Sequence, residues 1–470
     1  MKPVKYEKRV YKPFTTSSGE AFCQIKYGGK TRIFPLSSHE FSMEYKRIYR
    51  KQRRELVSQS HFEKVREVMR LDAYENRLDY DLESRIFCED DGTVIYSLNP
   101  DENQAVYLKD GKATVGKMPE MRFKYDASMR SQVEPNLKVK PDLLPRFLER
   151  HFHLKKEDLL VLALFLVTAF SGNCIQHNIL VFAGSKGSGK SRAARLIHRI
   201  VSPQNLDLVA LPRTKDDLAL RLHNSYITVL DNISYLGSGY SDLIAQCATG
   251  GISYVKRTLY QDTGETRLSL KSILILTGIE VAAKKSDVLD RSILLQLERI
   301  KPDEIIAEEQ LEEAFWKDLP KILGACFKFL ARALNDDIPV EVPKTRMASS
   351  FELMVKIGRA MKLDDEYTAK ILWKNQEKVS LHTLFDSVLG ECILAFFEEY
   401  ESFRGSVTDF RNEIQKVAKQ RHMDKNAVPE RVNLFSRRLG EIQSELELLY
   451  GIKYEKHNTG KYQEIYIRKE

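Results

Sequence analysis

The first third of the chain alternates between apolar and polar positions in short runs, and this pattern predicts a small α+β domain over residues 1–140. Residues 21–36 alternate on both sides of a Gly-Gly pair, which predicts a β-hairpin. Helical spacing follows from Ser38 and again over residues 60–75. The polar, proline-containing segment 126–141 is predicted to be a linker. Three further alternating runs predict strands: residues 84–88, 93–97 and 105–108.

Strand-like apolar runs then alternate with helical runs over residues 141–300, which predicts an α/β core. The most apolar stretch, residues 159–170, is shorter than the ~20 residues that a bilayer requires, so we expect a buried helix there. Residues 301–380 are predicted to be helical, with one helix near 308–334 interrupted at Pro320.

The last segment, residues 381–470, contains two predicted helices and a final hairpin that turns near residues 458–460. This order is typical of a winged helix, in which the second helix enters a major groove and the wing contacts phosphates. A winged helix used only for protein contacts is the alternative. The predicted DNA-contacting cations here are Arg437, Arg438, Lys456 and Lys461.

Composition is that of a globular protein with an anionic partner. The chain is 43% hydrophobic and 30% charged, with a formal net charge of +8, and nucleic acid is the first candidate for such a balance. The cysteines at 23, 88, 174, 247, 326 and 392 have no metal-ligand or disulfide spacing. We therefore expect buried free thiols in a reducing cytoplasm, and the polar N-terminus predicts neither a signal peptide nor a membrane partner.

The clearest chemistry lies in residues 184–191, Gly-Ser-Lys-Gly-Ser-Gly-Lys-Ser, between a predicted strand and a predicted helix. This is the spacing of a phosphate-binding loop, whose glycines let N–H groups turn toward phosphate oxygens at a helix N-terminus. We expect Lys190 to reach the β- and γ-phosphates of ATP and Ser191 to bind Mg²⁺. The predicted nucleotide-binding residues are Gly184, Gly187, Ser188, Gly189, Lys190 and Ser191.

Two later strand ends carry candidate catalytic groups. Asp231 ends an apolar run and is predicted to hold Mg²⁺. Asn232 follows it, where many such ATPases have a glutamate; an amide can orient water but cannot take its proton. Either the base lies elsewhere, or hydrolysis is slow, or orientation suffices. Thr277 ends the next strand and could contact the γ-phosphate or the attacking water, although it could equally serve only to end the strand.

Residues 250–270 predict a second hairpin, with Lys256, Arg257 and Arg267 interleaved with tyrosines. Cations and aromatic rings in this arrangement can grip a nucleic-acid backbone, and an ordinary solvated hairpin is the alternative. Arg291 precedes another apolar strand and could offset charge on a nucleotide held by a neighbouring subunit. Its alternative is a salt bridge within the chain to Asp287 or Asp290.

A basic run lies on the first predicted helix. We favour a solvent-exposed helix face as its role, with a phosphate-contacting surface as the alternative. The run consists of Lys46, Arg47, Arg50, Lys51, Arg53 and Arg54.

Residues 147–360 resemble the AAA+ replicative helicases of bacterial mobile elements, whose relatives are the minichromosome-maintenance and superfamily 3 helicases. The resemblance implies a hexameric ring with ATP between subunits and the hairpin of residues 252–270 in its central channel. It also implies that Arg291 is an arginine finger and that Arg346 is a lid arginine acting as sensor 2. Asn after the aspartate is common in this branch. The matching strings are residues 184–191, 230–234, 248–251, 257–260, 276–279, 287–293 and 345–348.

The expected protein is therefore an ATP- and Mg²⁺-dependent DNA helicase for replication of a mobile element, working on single-stranded and forked DNA as a homohexamer. Other replication proteins of the element are further expected partners. The expected fold is an AAA+ ATPase core over residues 141–300 with a helical lid, an N-terminal α+β domain and a C-terminal winged helix. Two alternatives share every ATPase residue: an origin-binding initiator or loader that uses ATP as an assembly switch, and a non-replicative ATPase.

Overall fold

The N-terminal unit of the computed structural model is a three-stranded antiparallel sheet, in the order β1-β2-β3, with two helices. The turn between β2 and β3 falls at Gly28 and Gly29, both with positive φ, as the hairpin pattern predicts. Ser38 and Ser58 cap the helices through their side chains. The elements are β1 (Tyr11–Thr15), β2 (Ala21–Tyr27), β3 (Lys30–Pro35), α1 (His39–Arg53) and α2 (Gln59–Glu75).

The structure describes twelve stretches of the chain. They are residues 5–99, 102–185, 187–233, 236–250, 253–257, 265–278, 286–299, 307–342, 345–385, 388–421, 428–458 and 463–469.

A second antiparallel sheet, β4-β5-β6-β7, packs into the same core as the central part of the protein. Tyr96 on this sheet contacts Phe170 and Phe327 with ring centroids 5.6 and 5.3 Å away, and its hydroxyl donates to the carbonyl oxygen of Val201 at 3.0 Å. Apolar packing is thus continuous across residue 140, and a domain division at that point remains a prediction. The strands are β4 (Ile86–Cys88), β5 (Val94–Asn99), β6 (Gln104–Lys109) and β7 (Lys112–Lys117).

Residues 126–137, here called the strap, are fastened to the core, so the prediction of a linker is wrong for this part. The buried side chain of Gln132 donates to the carbonyl oxygens of Arg199 and Ile200 at 3.0 and 2.9 Å. The backbone N–H of Asn136 donates to the carbonyl oxygen of Pro320 at 2.7 Å. Polar residues of the strap, whose composition is that of a linker, make hydrogen bonds to backbone carbonyl oxygens of the core. Sequence composition does not reveal such bonds.

The expectation of six free thiols is also wrong for two of them. Cys88 and Cys174 form a disulfide with their Cα atoms 6.0 Å apart, because β4 lies against the turn that precedes the central sheet. A sequence separation of 86 residues hides this proximity. The remaining thiols are free and buried: Cys23, Cys247, Cys326 and Cys392.

The central sheet has four parallel strands in the order β13-β8-β12-β9. Two of its strands, Ile179–Ala183 and Ile273–Thr277, are buried at every position. This is typical of parallel sheets that carry helices on both faces. The intervening helices and crossovers cover these faces. The elements that lead to and build this layer are α3 (Leu144–Glu149), α4 (Lys156–Thr168), β8 (Ile179–Ala183), α5 (Lys190–Val201), α6 (Lys215–Asn224), β9 (Ile227–Leu230), α7 (Ser238–Thr249), β10 (Ser253–Arg257), β11 (Glu265–Ser269), β12 (Ile273–Thr277), α8 (Ser286–Leu289) and β13 (Ser292–Gln296).

Helices follow the sheet and close its open edge. The amide of Asn375 accepts from the N–H of Leu294 at 3.1 Å and donates to its carbonyl at 2.7 Å, so one side chain replaces a missing neighbour strand of β13. The predicted interruption at Pro320 is wrong, since the helix continues through it. Among the described residues no helix is both long and apolar enough to cross a membrane. The helices are α9 (Glu308–Leu334), α10 (Ala348–Ala360), α11 (Asp365–Phe385) and α12 (Val388–Glu399).

The C-terminal unit has its own apolar core and places two helices before a hairpin. Ser406 begins the first helix with a capping box to Asp409. An additional strand, β14, joins the hairpin in a sheet of order β14-β16-β15. The elements are β14 (Ser402–Ser406), α13 (Val407–Gln420), α14 (Val432–Tyr450), β15 (Ile452–Asn458) and β16 (Gln463–Lys469).

Candidate functional site

Three groups that the sequence places far apart meet at one edge of the central sheet. Because β8, β9 and β12 are parallel, their carboxyl ends share that edge. Gly184 follows β8, Asp231 follows β9 and Thr277 ends β12. Ligands in open α/β sheets bind at such an edge, and we call it the carboxyl edge.

The loop after β8 has the backbone of an anion cradle. Gly184, Gly187 and Gly189 have φ of 144°, 82° and 82°, a region that other residues rarely adopt. A Cβ on Gly184 would lie 2.7 Å from the carbonyl oxygen of Leu297 and 2.8 Å from Ser188 Oγ. A Cβ on Gly187 would meet nothing within 4 Å. The loop is therefore packed closely against the protein at Gly184, whereas the space beside Gly187 is open.

Lys190 begins α5 directly after this loop. Its Nζ donates to the carbonyl oxygens of Gly184 and Ser185 at 2.7 and 2.9 Å, which curls the loop around the amine. Burial lowers the pKa of the Lys190 amine below its ordinary 10.5, and the charge of Asp231 opposes that shift. The ammonium group is thus held over the loop, where an anion would meet it.

The donor set fits a nucleotide phosphate with Mg²⁺. Ser188 Oγ is buried and makes no hydrogen bond to any described residue, which leaves one polar atom of the cradle without a partner. Ser191 and Asp231 offer the oxygen ligands that Mg²⁺ prefers. Within the described ranges no cluster of three or more histidine, cysteine or acidic side chains could hold a metal alone. Phosphate oxygens and water would therefore complete the shell of the ion.

At the carboxyl edge, hydrogen bonds connect Thr277 to Asp231 and Asn232. Thr277 Oγ1 donates to Asp231 Oδ1 at 2.5 Å and accepts from the N–H of Asn232 at 2.9 Å. The hydroxyl proton of this buried threonine is therefore directed at the carboxylate, so Thr277 positions Asp231. Asn232 has φ of 56°, a conformation that asparagine tolerates far better than glutamate. The backbone here gives a physical reason for asparagine after the aspartate.

Arg291 lies at the opposite edge of the sheet. Its carbonyl oxygen accepts from the N–H of Ile179, the first residue of β8, at 2.9 Å. Five residues of β8 separate that point from the phosphate loop, a distance of roughly 16 Å at the usual rise per residue. Arg291 therefore cannot reach the glycine loop of its own chain, and we call its location the amino edge.

The guanidinium of Arg291 is held by side chains from two neighbouring helices. It donates to Thr249 Oγ1 at 2.9 Å and to Asp287 Oδ1 at 2.6 Å. Arg346 donates to the same Asp287 oxygen, so one carboxylate holds both arginines. Burial alone would raise the pKa of Asp287, but the hydrogen bond from Arg291 and the charge of Arg346 hold it below its ordinary value. The salt bridge to Asp287 expected as the alternative role is present.

Arg346 thus lies beside Arg291 and not beside Lys190. Its Nε is 3.8 Å from Asp290 Oδ2, and burial raises the pKa of that carboxyl despite the nearby arginines. A cavity of about 600 Å³ opens here, lined by Thr249 and Arg346 among others. The two predicted catalytic arginines form one cluster, which we call the arginine pair.

The predicted DNA-contacting hairpin forms an antiparallel pair, β10 with β11. Its base is anchored to α6, where Tyr254 donates to Asp216 Oδ1 at 2.7 Å. Arg267 is exposed on β11, and Arg437 and Arg438 are exposed on α14. The hairpin tip and the side chains of Lys256, Arg257, Lys456 and Lys461 lie outside what the structure describes.

Comparison with known proteins gives a family match over part of the chain and a similar fold. Residues 148–371 match the family model of the actinomycete integrative conjugative element replication protein. The whole chain superposes on the active helicase Cch of the SCCmec type IV element with a TM-score of 0.50 and 14% identity, covering 97% of this chain and 93% of that chain. The superposition shows a shared fold, and the family match covers just under half of the chain.

A second solved structure, the apo A form of the NrS-1 C-terminal region, matches with a TM-score of 0.41 and 10% identity, covering 97% of this chain and 96% of that chain. No curated protein matches the sequence.

Sequence reasoning missed Thr249 as a contact of Arg291, and it treated Asp287 only as a competing salt-bridge partner. Thr249 ends α7, and Asp287 lies in α8. The threonine does lie in residues 248–251, one of the short strings of the resemblance. Nothing in the sequence indicates that the threonine faces an arginine 42 positions later.

Proposed function

We propose that the protein is an AAA+ ATPase that hydrolyses ATP between subunits of a ring, most simply a hexamer, and uses it to unwind DNA during replication of a mobile element. The observation that carries the proposal is the split between the carboxyl edge and the arginine pair. One chain presents a phosphate cradle without Arg291 or Arg346 near it, and holds those two arginines about a strand length away. A neighbouring copy that sets its amino edge against the cradle would complete the site.

Each residue then has one task in hydrolysis. The loop N–H groups and Lys190 bind and orient the phosphates, while Ser191 and Asp231 hold Mg²⁺. Mg²⁺ would neutralise charge on the phosphate oxygens. Thr277 keeps Asp231 in place, and the amide of Asn232 orients the attacking water without taking its proton. Arg291 from the neighbour offsets the charge that builds on the γ-phosphoryl group.

DNA contact rests on two further features. In chain order the β10–β11 hairpin lies between β9 and β12, the strands that carry Asp231 and Thr277. Movement at the nucleotide can therefore reach the hairpin through its anchor on α6. The C-terminal unit has the helix, helix, hairpin order of a winged helix, and Arg437 and Arg438 are exposed on its second helix. The match to a replication-protein family favours DNA as the substrate over a protein.

Strand displacement by the purified full chain tests the proposal. On a forked duplex with ATP and Mg²⁺, we expect displacement and DNA-stimulated hydrolysis, with a six-fold particle by mass. The Lys190→Ala variant should lose both activities, because it removes the amine that the loop surrounds. Lys64→Ala, which changes an exposed lysine on α2, serves as the matched control and should retain both.

Other outcomes separate the alternatives. Nucleotide-dependent assembly without strand displacement would replace the motor with an ATP-controlled initiator or loader. Hydrolysis that DNA does not stimulate would remove DNA from the function altogether.

A further inference from the structure

The solvent face of α1 carries more positive charge than its own helix neutralises. Phe41, Tyr45 and Ile48 bury one face of the helix against the N-terminal sheet. Residues 39–56 hold six lysines and arginines but only three carboxylates. The exposed cations are Arg47, Arg50, Lys51, Arg53 and Arg54.

Local carboxylates neutralise few of these cations. Arg47 is bonded to Glu44 at 2.7 Å. Glu55, the nearest carboxylate to the end of the helix, accepts instead from the Tyr49 hydroxyl at 3.0 Å. Within the described part of the chain, the remaining exposed cations make no side-chain hydrogen bond or ion pair. We call them the α1 cluster, and they are Arg50, Lys51, Arg53 and Arg54.

The neighbouring helix shows the ordinary arrangement. On α2, Arg66 pairs with Glu63 and Arg70 pairs with Glu67, each three residues apart. Pairs at that spacing neutralise a helix surface locally. Among the described residues the α1 cluster makes no such ion pairs, although it lies only a short loop away from α2, so its charge faces solvent.

Helix stability accounts for only part of the cluster. The helix dipole stabilises cations in a last turn. Like charges four residues apart, as in Lys46 with Arg50 or Arg50 with Arg54, repel each other and oppose that gain. The helix therefore leaves a positive field at the surface that its own carboxylates only partly compensate.

The form of the surface favours a phosphate backbone over bases. From Lys46 to Arg54 the helix advances about 12 Å, which spans roughly three phosphates along one strand at ~3.4 Å each. The aromatic rings of α1 are not available for stacking on bases, since Tyr45 is buried and Tyr49 lies against His61 with its hydroxyl on Glu55. Single-strand sites usually supply such rings.

We propose that the α1 cluster binds the phosphate backbone of duplex DNA without sequence preference, as a site separate from the hairpin and the C-terminal unit. The inference rests on the proposed function only in taking DNA as the polyanion. It gives the N-terminal unit a task, namely to hold the duplex while the central part of the protein acts on it.

The test measures the salt dependence of duplex binding by the full chain, without ATP. The variant Arg50→Gln/Arg53→Gln/Arg54→Gln should weaken binding and reduce the slope of log Kd against log salt by about two to three, because each phosphate that a protein neutralises adds roughly 0.9 to that slope. The control Lys64→Gln/Arg66→Gln/Arg70→Gln removes the same charge from α2 and should leave the slope nearly unchanged. Replacement of the three arginines by lysine keeps the charge and should keep the slope.

Equal slopes for the α1 variant and the unaltered chain would overturn the proposal, and so would equal losses in the two glutamine variants, which would indicate only long-range attraction. A loss confined to single-stranded DNA would overturn the duplex assignment. Hydrolysis of ATP without DNA should be unaltered in every variant and reports that the fold is intact. Binding is measured without nucleotide, so its result is independent of unwinding. A chain that does not unwind DNA can still bind duplex through the α1 cluster, and a chain that unwinds DNA can lack this contact.

Discussion

The two edges of the central sheet are built in different ways. The carboxyl edge is a backbone structure, made by glycines with positive φ and a lysine bonded to carbonyl oxygens of its own loop. The amino edge is a side-chain structure, in which one carboxylate holds two arginines from distant elements. The first forms within a single chain, whereas the second lies too far from the glycine loop of its own chain to reach it.

This difference assigns a separate requirement to each edge. Under the proposed function, binding of nucleotide would depend mainly on the glycine loop and Lys190, which lie close together in the sequence. Hydrolysis would depend on a correct approach of two copies, because only then would both edges meet. Three measurements test this division.

The largest effect is expected from Arg291→Ala. Hydrolysis should fall by about 10³-fold or more, as for other arginines that act across an interface, while nucleotide affinity stays within a few-fold. The decisive form is a mixture of Arg291→Ala chains with Lys190→Ala chains, each inactive alone. Mixed rings contain interfaces where an intact loop meets an intact arginine, so activity should return. The measurements are the hydrolysis rate and the binding of a fluorescent nucleotide.

An arginine that acted on the nucleotide of its own chain would give no recovery in any mixture. Arg66→Ala, which removes an ion-paired arginine of α2, is the control for nonspecific loss. The Arg66→Ala variant should hydrolyse ATP at the full rate alone. In mixtures with Lys190→Ala chains, the rate should follow the fraction of Arg66→Ala chains.

A smaller effect is expected from Asp287→Asn. The change keeps the shape of the side chain but removes the charge that holds the arginine pair, so kcat should fall about tenfold, equivalent to ~1.4 kcal/mol. The KM for ATP should remain constant, because the carboxyl edge is untouched. Asp287→Glu should restore part of the rate.

The matched control is Asp290→Asn, whose carboxylate is 3.8 Å from Arg346 and should matter less. A rise in KM with kcat intact would place Asp287 in nucleotide binding and contradict the division of the two edges. Steady-state kinetics over a range of ATP concentrations distinguishes these results.

The smallest effect concerns pH. Protonated Lys190 attracts phosphate, and burial lowers its pKa below 10.5 in the free protein. Affinity for ADP should therefore weaken as pH rises through this lowered pKa, at a lower pH than an ordinary lysine would require. Lys190→Arg stays charged to a pKa above ~12, so its affinity should be independent of pH. A flat profile for the unaltered protein would show that the lysine is not in contact with phosphate.

The carboxyl edge could be predicted because its loop is local and because the ends of parallel strands meet by a general rule. Glycines at set spacings between a strand and a helix dictate a loop, and Lys190 and Ser191 follow at once. Asp231 and Thr277 end apolar strands, and parallel pairing brings them together. Asparagine at 232 departs from the usual glutamate, and only its left-handed backbone explains it.

Only part of the amino edge could be predicted. Asp287 and Arg291 are four residues apart, and their salt bridge is the alternative that the sequence offers. Thr249 and Arg346 come from other elements, and nothing in their local sequence shows that they meet this pair. The same limit applies to the disulfide between Cys88 and Cys174 and to the strap. Each depends on tertiary contacts between segments far apart in the chain, for which periodicity and spacing carry no signal.

The backbone of the strap packs directly against the backbone of α9 at Gly324. A methyl group at Gly324 would lie 2.1 Å from the carbonyl oxygen of Asn136, well inside contact distance, so the two segments can approach only because that position has no side chain. The strap is bonded to α9 at Asn136 and to the last turn of α5 at Gln132. The segment that resembles a spacer therefore connects the helix that begins at Lys190 to the long helix α9.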